Sequence, residues 1–289
     1  MLKARMFVIA LLALSATPLL FADEVKSRQV GQMVLEGVPD WDPALRERMF
    51  QYLNVRRATM ASLPDDARSM LISTPSGDAA QVHLITSPLG MRRQITFFDE
   101  PVGGAGFLPG SRQRQFLFGK DTGGNENTQI YRMSLDTGRW DMLTDGKSRN
   151  QSSSVTRDGR VLAFASNQRN GKDFDIYLAD LPDGKPRLAM QVEGSYGPSG
   201  FSPDRRQLLI NRYVSERFTQ YYLLDVAGGE SRSITPTDPP AYYGGGAWAA
   251  DSKSLYFTSD RDGEFRNLYK VDLASGTWTN LTRDIHWDI

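Results

Sequence analysis

From about residue 60 onward, apolar and polar positions alternate in short runs with turn chemistry every eight to twelve residues, which predicts strands joined by antiparallel hairpins. One run recurs: "QVHLI" from Gln81, "QIYRMSL" from Gln129, "DIYLADL" from Asp175, "QYYLLDV" from Gln220 and "NLYKVDL" from Asn267. Its third position is His83, Tyr131, Tyr177, Tyr222 and Tyr269, at spacings of 48, 46, 45 and 47 residues. A Gly-bearing turn follows each run, and a second turn precedes it: "LPDDA", "LPGSR", "TRDGR", "SPDRR" and "AADSK". Four units close on a hydrophobic-Thr pair, at Ile95-Thr96, Leu143-Thr144, Ile234-Thr235 and Leu281-Thr282.

Each unit holds about four strands, and a period of 40 to 50 residues with four strands per unit is the mark of a β-propeller. The expected fold class is therefore all-β: a propeller of four-stranded antiparallel blades with about five repeats. The units run over 56–101, 102–145, 146–194, 195–240 and 241–282. In this frame "NLT" at Asn280 to Thr282 ends the fifth unit, and residues 283–289 lead towards a further blade. An incomplete ring is expected, with apolar sheet faces uncovered at its two ends.

Ahead of the repeats, residues 23–55 form an extension with one short helix. Asp42 can cap it, Pro43 suits its first turn, and Leu45, Met49, Tyr52 and Leu53 share a face, so a brace packed on the propeller is expected. The start of the chain carries Lys3 and Arg5, then no charge until Asp23, with an apolar run from Met6 to Leu14. That layout predicts a cleaved signal peptide over 1–22 and export to the periplasm or medium.

Lys+Arg and Asp+Glu are equal at 34 each, so no charge excess points to nucleic acid, and no membrane association is expected beyond the leader. The absence of cysteine removes disulfides, thiolate nucleophiles and Cys-ligated metal. No cofactor or metal is expected. His83 and His286 are the only histidines, and His83 fills the place that Tyr holds in the other units, which favours a core role. Asp180, Asp225 and Asp272 follow the Tyr by three residues and suit turn entry, where a carboxylate accepts backbone N–H bonds. Asn150-Gln-Ser152 and Asn280-Leu-Thr282 are formal glycosylation sequons. No Gly-x-Ser-x-Gly occurs, so a catalytic serine elbow is not recognisable.

Loops leaving the hydrophobic-Thr pair cross from the outer strand of one blade to the inner strand of the next and gather on one face around the channel. Asp99, Glu100, Asp238, Tyr242 and Tyr243 on these loops are the candidate contacts to a partner domain or ligand.

The stretch from Gln51 to Val102, "QYLNVRRATMASLPDDARSMLISTPSGDAAQVHLITSPLGMRRQITFFDEPV", resembles the opening of the propeller in exported prolyl oligopeptidase family peptidases of the acylaminoacyl-peptidase and dipeptidyl-peptidase kind. The later units "FSPDRRQLLINR" and "WAADSKSLYFTSDRDGEFRNLYKVDLASGTWTNLT" are similar both to that family and to TolB-like propellers. The resemblance implies a propeller that restricts access to an α/β-hydrolase domain carrying the catalytic residues, none of which has a counterpart here. Expected partners are a peptide substrate or a hydrolase domain. On the alternative reading, a free-standing TolB-like interaction module, they are envelope proteins.

Overall fold

The computed structural model describes residues 25–110 and 114–289. The leader expected at 1–22 lies outside them. Among the described residues there are 22 strands and one helix. A hairpin of β1 (Ser27–Val30) and β2 (Met33–Glu36) leads into α1 (Pro43–Leu53), and five four-stranded antiparallel sheets follow.

In each sheet the strands are hydrogen-bonded in chain order. Sheet 1 comprises β3 (Thr59–Ser62), β4 (Met70–Pro75), β5 (Ala80–Ile85) and β6 (Arg93–Gln94). Sheet 2 comprises β7 (Gly103–Phe107), β8 (Gln115–Lys120), β9 (Gln129–Ser134) and β10 (Trp140–Met142). Sheet 3 comprises β11 (Asn150–Val155), β12 (Val161–Ser166), β13 (Asp175–Asp180) and β14 (Arg187–Met190). Sheet 4 comprises β15 (Ser195–Phe201), β16 (Gln207–Ser215), β17 (Phe218–Asp225) and β18 (Ser231–Ser233). Sheet 5 comprises β19 (Tyr243–Trp248), β20 (Ser254–Ser259), β21 (Asn267–Asp272) and β22 (Trp278–Asn280). This is the all-β propeller architecture that the repeat predicts.

The repeat has a physical basis in each sheet. Tyr131, Tyr177, Tyr222 and Tyr269 lie opposite Phe118, Phe164, Ile210 and Phe257 on the second strand, and His83 lies opposite Ile72. The hydrophobic-Thr pair is a clasp on the third strand. Ile95, Leu143, Ile234 and Leu281 donate their N–H to the carbonyls of Val82, Ile130, Tyr221 and Leu268. The N–H groups of those same four residues donate to Thr96, Thr144, Thr235 and Thr282 Oγ1 at 2.8, 3.1, 2.9 and 2.9 Å. The short fourth strand would otherwise leave these amides unpaired, which a buried sheet does not tolerate. Sheet 3 has no Thr there because β14 reaches further: Ile176 lies opposite Met190, and Val192 N–H donates to Asp175 Oδ1 at 2.8 Å.

The turn between the first two strands repeats as well. Ala67, Gly110, Gly159, Arg205 and Ser252 all take φ between 51° and 70°. Only Gly159 must be glycine, since a Cβ there would collide with the carbonyl oxygen of Pro109. These turns touch from sheet to sheet: Gly110 N–H donates to Asp65 Oδ2 at 3.3 Å, Arg205 pairs with Asp158, and Asp204 N–H donates to Ser252 Oγ at 3.0 Å. Asp225 and Asp272 accept turn N–H groups, from Ala227 and Ala274 at 3.0 and 3.1 Å among others, as their position after the Tyr predicts.

Four apolar clusters join sheet 1 to 2, 2 to 3, 3 to 4 and 4 to 5. Among the described residues none of these clusters joins sheet 5 to sheet 1. The helix departs from expectation. Asp42 does cap α1, its Oδ1 accepting Ala44 N–H at 2.8 Å, but no residue of α1 is buried and Leu45, Phe50, Tyr52 and Leu53 are more than half exposed. The face of Leu45, Met49, Tyr52 and Leu53 is continuous but left uncovered by any sheet, and Arg46 folds over Phe50, 5.3 Å from the ring centre. Among the described residues no helix is long and apolar enough to cross a membrane.

Candidate functional site

The wall of the channel is built from the first strand of each sheet, and all five of these strands are bulged against the second. The register shifts fall at Met60/Ser62, Gly103/Gly106, Gln151/Ser153, Pro198/Gly200 and Gly244/Ala247. A bulge leaves extra backbone out of the ladder and re-aims the strand, and such features gather next to binding sites. Gly104, Ser152 and Gly245 occupy the bulges with φ of 60°, 45° and 65°. Ser152 is the exception in residue type. Its side chain lies against Gly197, where a Cβ would come within 3.0 Å of Ser152 Oγ.

Two clefts open along this wall and share Gln151 and Ser152. The first, about 610 Å³, lies between β7 and β11, with Val102, Leu117, Phe118 and Ile130 as its apolar lining and Gly103 and Gly104 at its edge. The inner strands of sheets 2 and 3 stand further apart than the other successive pairs, which is what opens it. Asn150 lines this cleft while 4% exposed, and its Nδ2 donates to Thr128 O, Ser148 O and Gln129 Oε1 at 2.9, 3.0 and 3.3 Å. That amide is engaged in the connector, so the first sequon offers no free acceptor for a glycan.

The second cleft, about 460 Å³, is polar and lies among β11, β15 and β19, lined by Tyr196, Asn211, Tyr213, Glu216, Tyr221 and Tyr242 among others. Tyr213 donates to Glu216 Oε1 at 2.9 Å, and the Arg266 guanidinium sits 4.0 Å from the Tyr242 ring centre. Burial, with Tyr222 beside it, pushes the Tyr196 hydroxyl up to about 12, and burial likewise raises Tyr221, so both rings stay neutral donors at physiological pH.

The five residues singled out in the sequence do not form one cluster. Tyr242 and Tyr243 line the second cleft, but Tyr243 is 1% exposed and packs on Phe257 and Trp278 in the core between sheets 4 and 5. Glu100 stands at the first cleft's lysine: its Oε2 accepts Lys120 Nζ at 3.1 Å and its Oε1 accepts Gly123 N–H at 3.2 Å. These bonds hold its carboxyl below the ordinary value, the Lys120 bond most of all. Lys120 also donates to Asp121 O at 3.0 Å and lies 5.2 Å from the Phe98 ring, so this pair pins the connector to β8. Asp99 and Asp238 are exposed and line neither cleft.

His83 is buried, its Nε2 3.0 Å from Ser76 Oγ and its Nδ1 3.2 Å from Gln81 O. Neither His83 nor Ser76 lines either cleft, so the contact holds the β4–β5 hairpin. Among the described residues no group of three His, Asp or Glu side chains could hold a metal ion. Sequence reasoning missed the bulges and Asn150. The "GGAG", "GPSG" and "GGG" runs, at the start of three of the later blades, are the signal that could have found their bulges.

The fold and channel wall define a propeller. No protein-family model matches the chain. It is similar to dipeptidyl aminopeptidase BIII of Pseudoxanthomonas mexicana, 23% identical over 296 aligned positions that cover 96% of this chain and 40% of that protein. The chain thus spans well under half the length of that relative. Among solved structures, TolB from Acinetobacter baumannii superposes with a TM-score of 0.51 at 17% identity, covering 83% of this chain and 57% of TolB. A prolyl endopeptidase structure gives 0.62 at 11% identity, covering 91% of this chain and 46% of that one. The chain resembles the propeller part of such peptidases and the TolB-like propellers alike.

Proposed function

We propose that this chain is the substrate-admitting and domain-docking propeller of a serine peptidase of the prolyl oligopeptidase type, with the covalent chemistry carried by an α/β-hydrolase domain. The observation that carries this reading is the match to a dipeptidyl aminopeptidase over 96% of the chain against 40% of the relative. The clefted wall supports it: bulged inner strands expose backbone and small residues to whatever passes along the channel. On this reading Asp99, Asp238 and Tyr242 contact the partner or ligand, while Glu100 and Tyr243 hold the connectors that present them. Export follows from the leader-like layout of residues 1–22.

The test is to mix the chain with the separately produced hydrolase portion of dipeptidyl aminopeptidase BIII and follow association by sedimentation. Micromolar association, together with slower cleavage of long peptides than of short ones, is the expected result. Absence of association at any accessible concentration removes this reading. The TolB likeness favours a second one, a free-standing interaction module, under which the chain captures an envelope protein and ignores the hydrolase domain.

A further inference from the structure

The loop between β12 and β13, residues 167–174, ties sheet 3 to the connector that enters sheet 4. Asp173, 8% exposed, accepts Gly194 N–H on Oδ1 at 2.9 Å, and Phe174 N–H donates to Gly194 O at 2.9 Å. Arg169 donates to Asp175 at 2.6 and 3.1 Å and to Val192 O at 2.8 Å. The connector held in this way runs into β15, whose Ser195 and Tyr196 line the second cleft. In the loop stands Asn170-Gly171, the one Asn-Gly step of the sequence. Such a step is chemically labile. The backbone nitrogen of glycine, with no Cβ to hinder it, adds to the side-chain amide carbon of the preceding asparagine, closing a five-membered imide and expelling ammonia. Water then opens the ring to an aspartyl or isoaspartyl residue.

Both residues are exposed, so water and base reach them, and shielding does not protect the step. Hydrogen bonds do. Gly171 N–H donates to Asn167 O at 2.7 Å, which engages the attacking nitrogen. Asn170 Nδ2, the leaving group, donates to Asp173 Oδ2 at 2.8 Å, and Asn170 Oδ1 accepts Lys172 and Asp173 N–H at 3.0 and 2.9 Å. The imide closes only when these bonds are released. A carboxylate formed in place of the amide removes the donor to Asp173 Oδ2 and sets a second negative charge against that side chain.

We infer that Asn170 is a modification site, closed in the folded chain and opened by release of the 167–174 loop, at which the side-chain amide is exchanged for a carboxylate that slackens the tie between sheet 3 and the connector into sheet 4. The bonds balance without an oxidant or reductant. The Gly171 N to Asn170 Cγ bond forms as Cγ–Nδ2 breaks, the glycine proton leaves with the ammonia, and one water cleaves either imide C–N bond. Because the change runs one way, each opening of the loop leaves a lasting mark beside the wall of the second cleft. The inference does not use the peptidase reading.

Peptide mapping by mass spectrometry, with an isoaspartyl assay, follows position 170 at neutral pH in the folded chain, in the chain in urea above its unfolding midpoint, and in a blocked peptide of sequence "QRNGKD". The folded chain should react about tenfold or more slowly than the peptide, because only the open fraction reacts, and the urea sample should match the peptide. The consequence is read on Asn170→Asp by native-state hydrogen exchange. The Val192 and Gly194 amides should exchange about tenfold or more faster than in the parent, with those of β20 and β21 unchanged. Asn170→Ala, which loses the same donor without gaining a charge, should fall between the two. Parent chain aged to conversion gives the same reading without a substitution. Equal rates in the folded chain and the peptide, no reaction at Asn170 in urea, or parent-like exchange at Val192 and Gly194 in both Asn170→Asp and the aged chain overturns the inference. None of these outcomes bears on association with the hydrolase domain, so the modification site and the propeller's proposed role fail separately.

Discussion

Thr96 and Thr235 are 1% and 4% exposed, and each hydroxyl is the partner of one buried amide on a third strand, Val82 and Tyr221 respectively. Thr235→Val keeps the shape but strands the Tyr221 N–H, which should cost about 1–3 kcal/mol in urea unfolding, while Thr235→Ser should recover most of it. The same replacement is not available in sheet 3, where Asp175 and a longer β14 do this work. Glu100 gives a pH signature at the same scale. Its carboxyl lies below its ordinary value because Lys120 and the Gly123 N–H bind the charged form. A depressed folded value means that the contribution is complete above the unfolded value of about 4.3 and disappears as pH falls through the folded one. Melting temperatures of the parent and Glu100→Gln should therefore differ by a constant amount from pH 6 to 8 and draw together as pH falls below the unfolded value and through the lower folded one. A gap that persists in acid would assign the effect to packing instead.

At the scale of elements, the bulged inner strands separate two kinds of glycine. A Cβ at Gly246 in β19 would come within 2.7 to 2.9 Å of Leu209, Phe257 and Tyr221 side chains, whereas one at Gly103 in β7 meets nothing within 4 Å. Gly246→Ala should destabilise by about 1–3 kcal/mol through overpacking, and Gly103→Ala should be near neutral, a contrast that paired denaturation curves measure directly. The strands themselves were legible because their spacing is written in Tyr131, Tyr177, Tyr222 and Tyr269 and in the Thr clasp, which are local patterns of side chains. The wall was legible only where glycine marks a bulge, as at Gly104 and Gly245. A bulge depends on how a strand twists against its neighbour, and Ser152, with φ of 45°, carries no residue-type mark of it. The first cleft was hidden for the same reason, since it arises from the separation of β7 and β11 rather than from either strand. The face of α1 misled in the opposite direction: Asp42 and Pro43 specify a helix, but a stripe of apolar positions does not say what, if anything, covers it.

For the molecule as a whole, the order of the apolar clusters predicts an order of local stability. Sheet 3 is packed on both faces, through Phe164 and Tyr177 towards sheet 2 and through Ile176 and Leu178 towards sheet 4. Sheet 4 likewise packs Leu208 and Ile210 one way and Leu209 and Leu223 the other. Sheet 5 contributes Leu255, Phe257 and Val271 to one cluster only, and on its other face Tyr256 and Lys270 are partly exposed. In an array where each unit depends on its neighbours, a unit with one interface opens at lower free energy than a unit with two. Native-state hydrogen exchange of this chain should then show the amides of β20 and β21 exchanging faster than those of β12 and β13, although both pairs are fully hydrogen-bonded in the same register. Adding a partner that covers the free face of sheet 5 should raise the protection of β20 and β21 and leave β12 and β13 unchanged. Uniform protection across all five sheets in the isolated chain would mean that the ends support one another, and the sheet-by-sheet account of stability would fall with it.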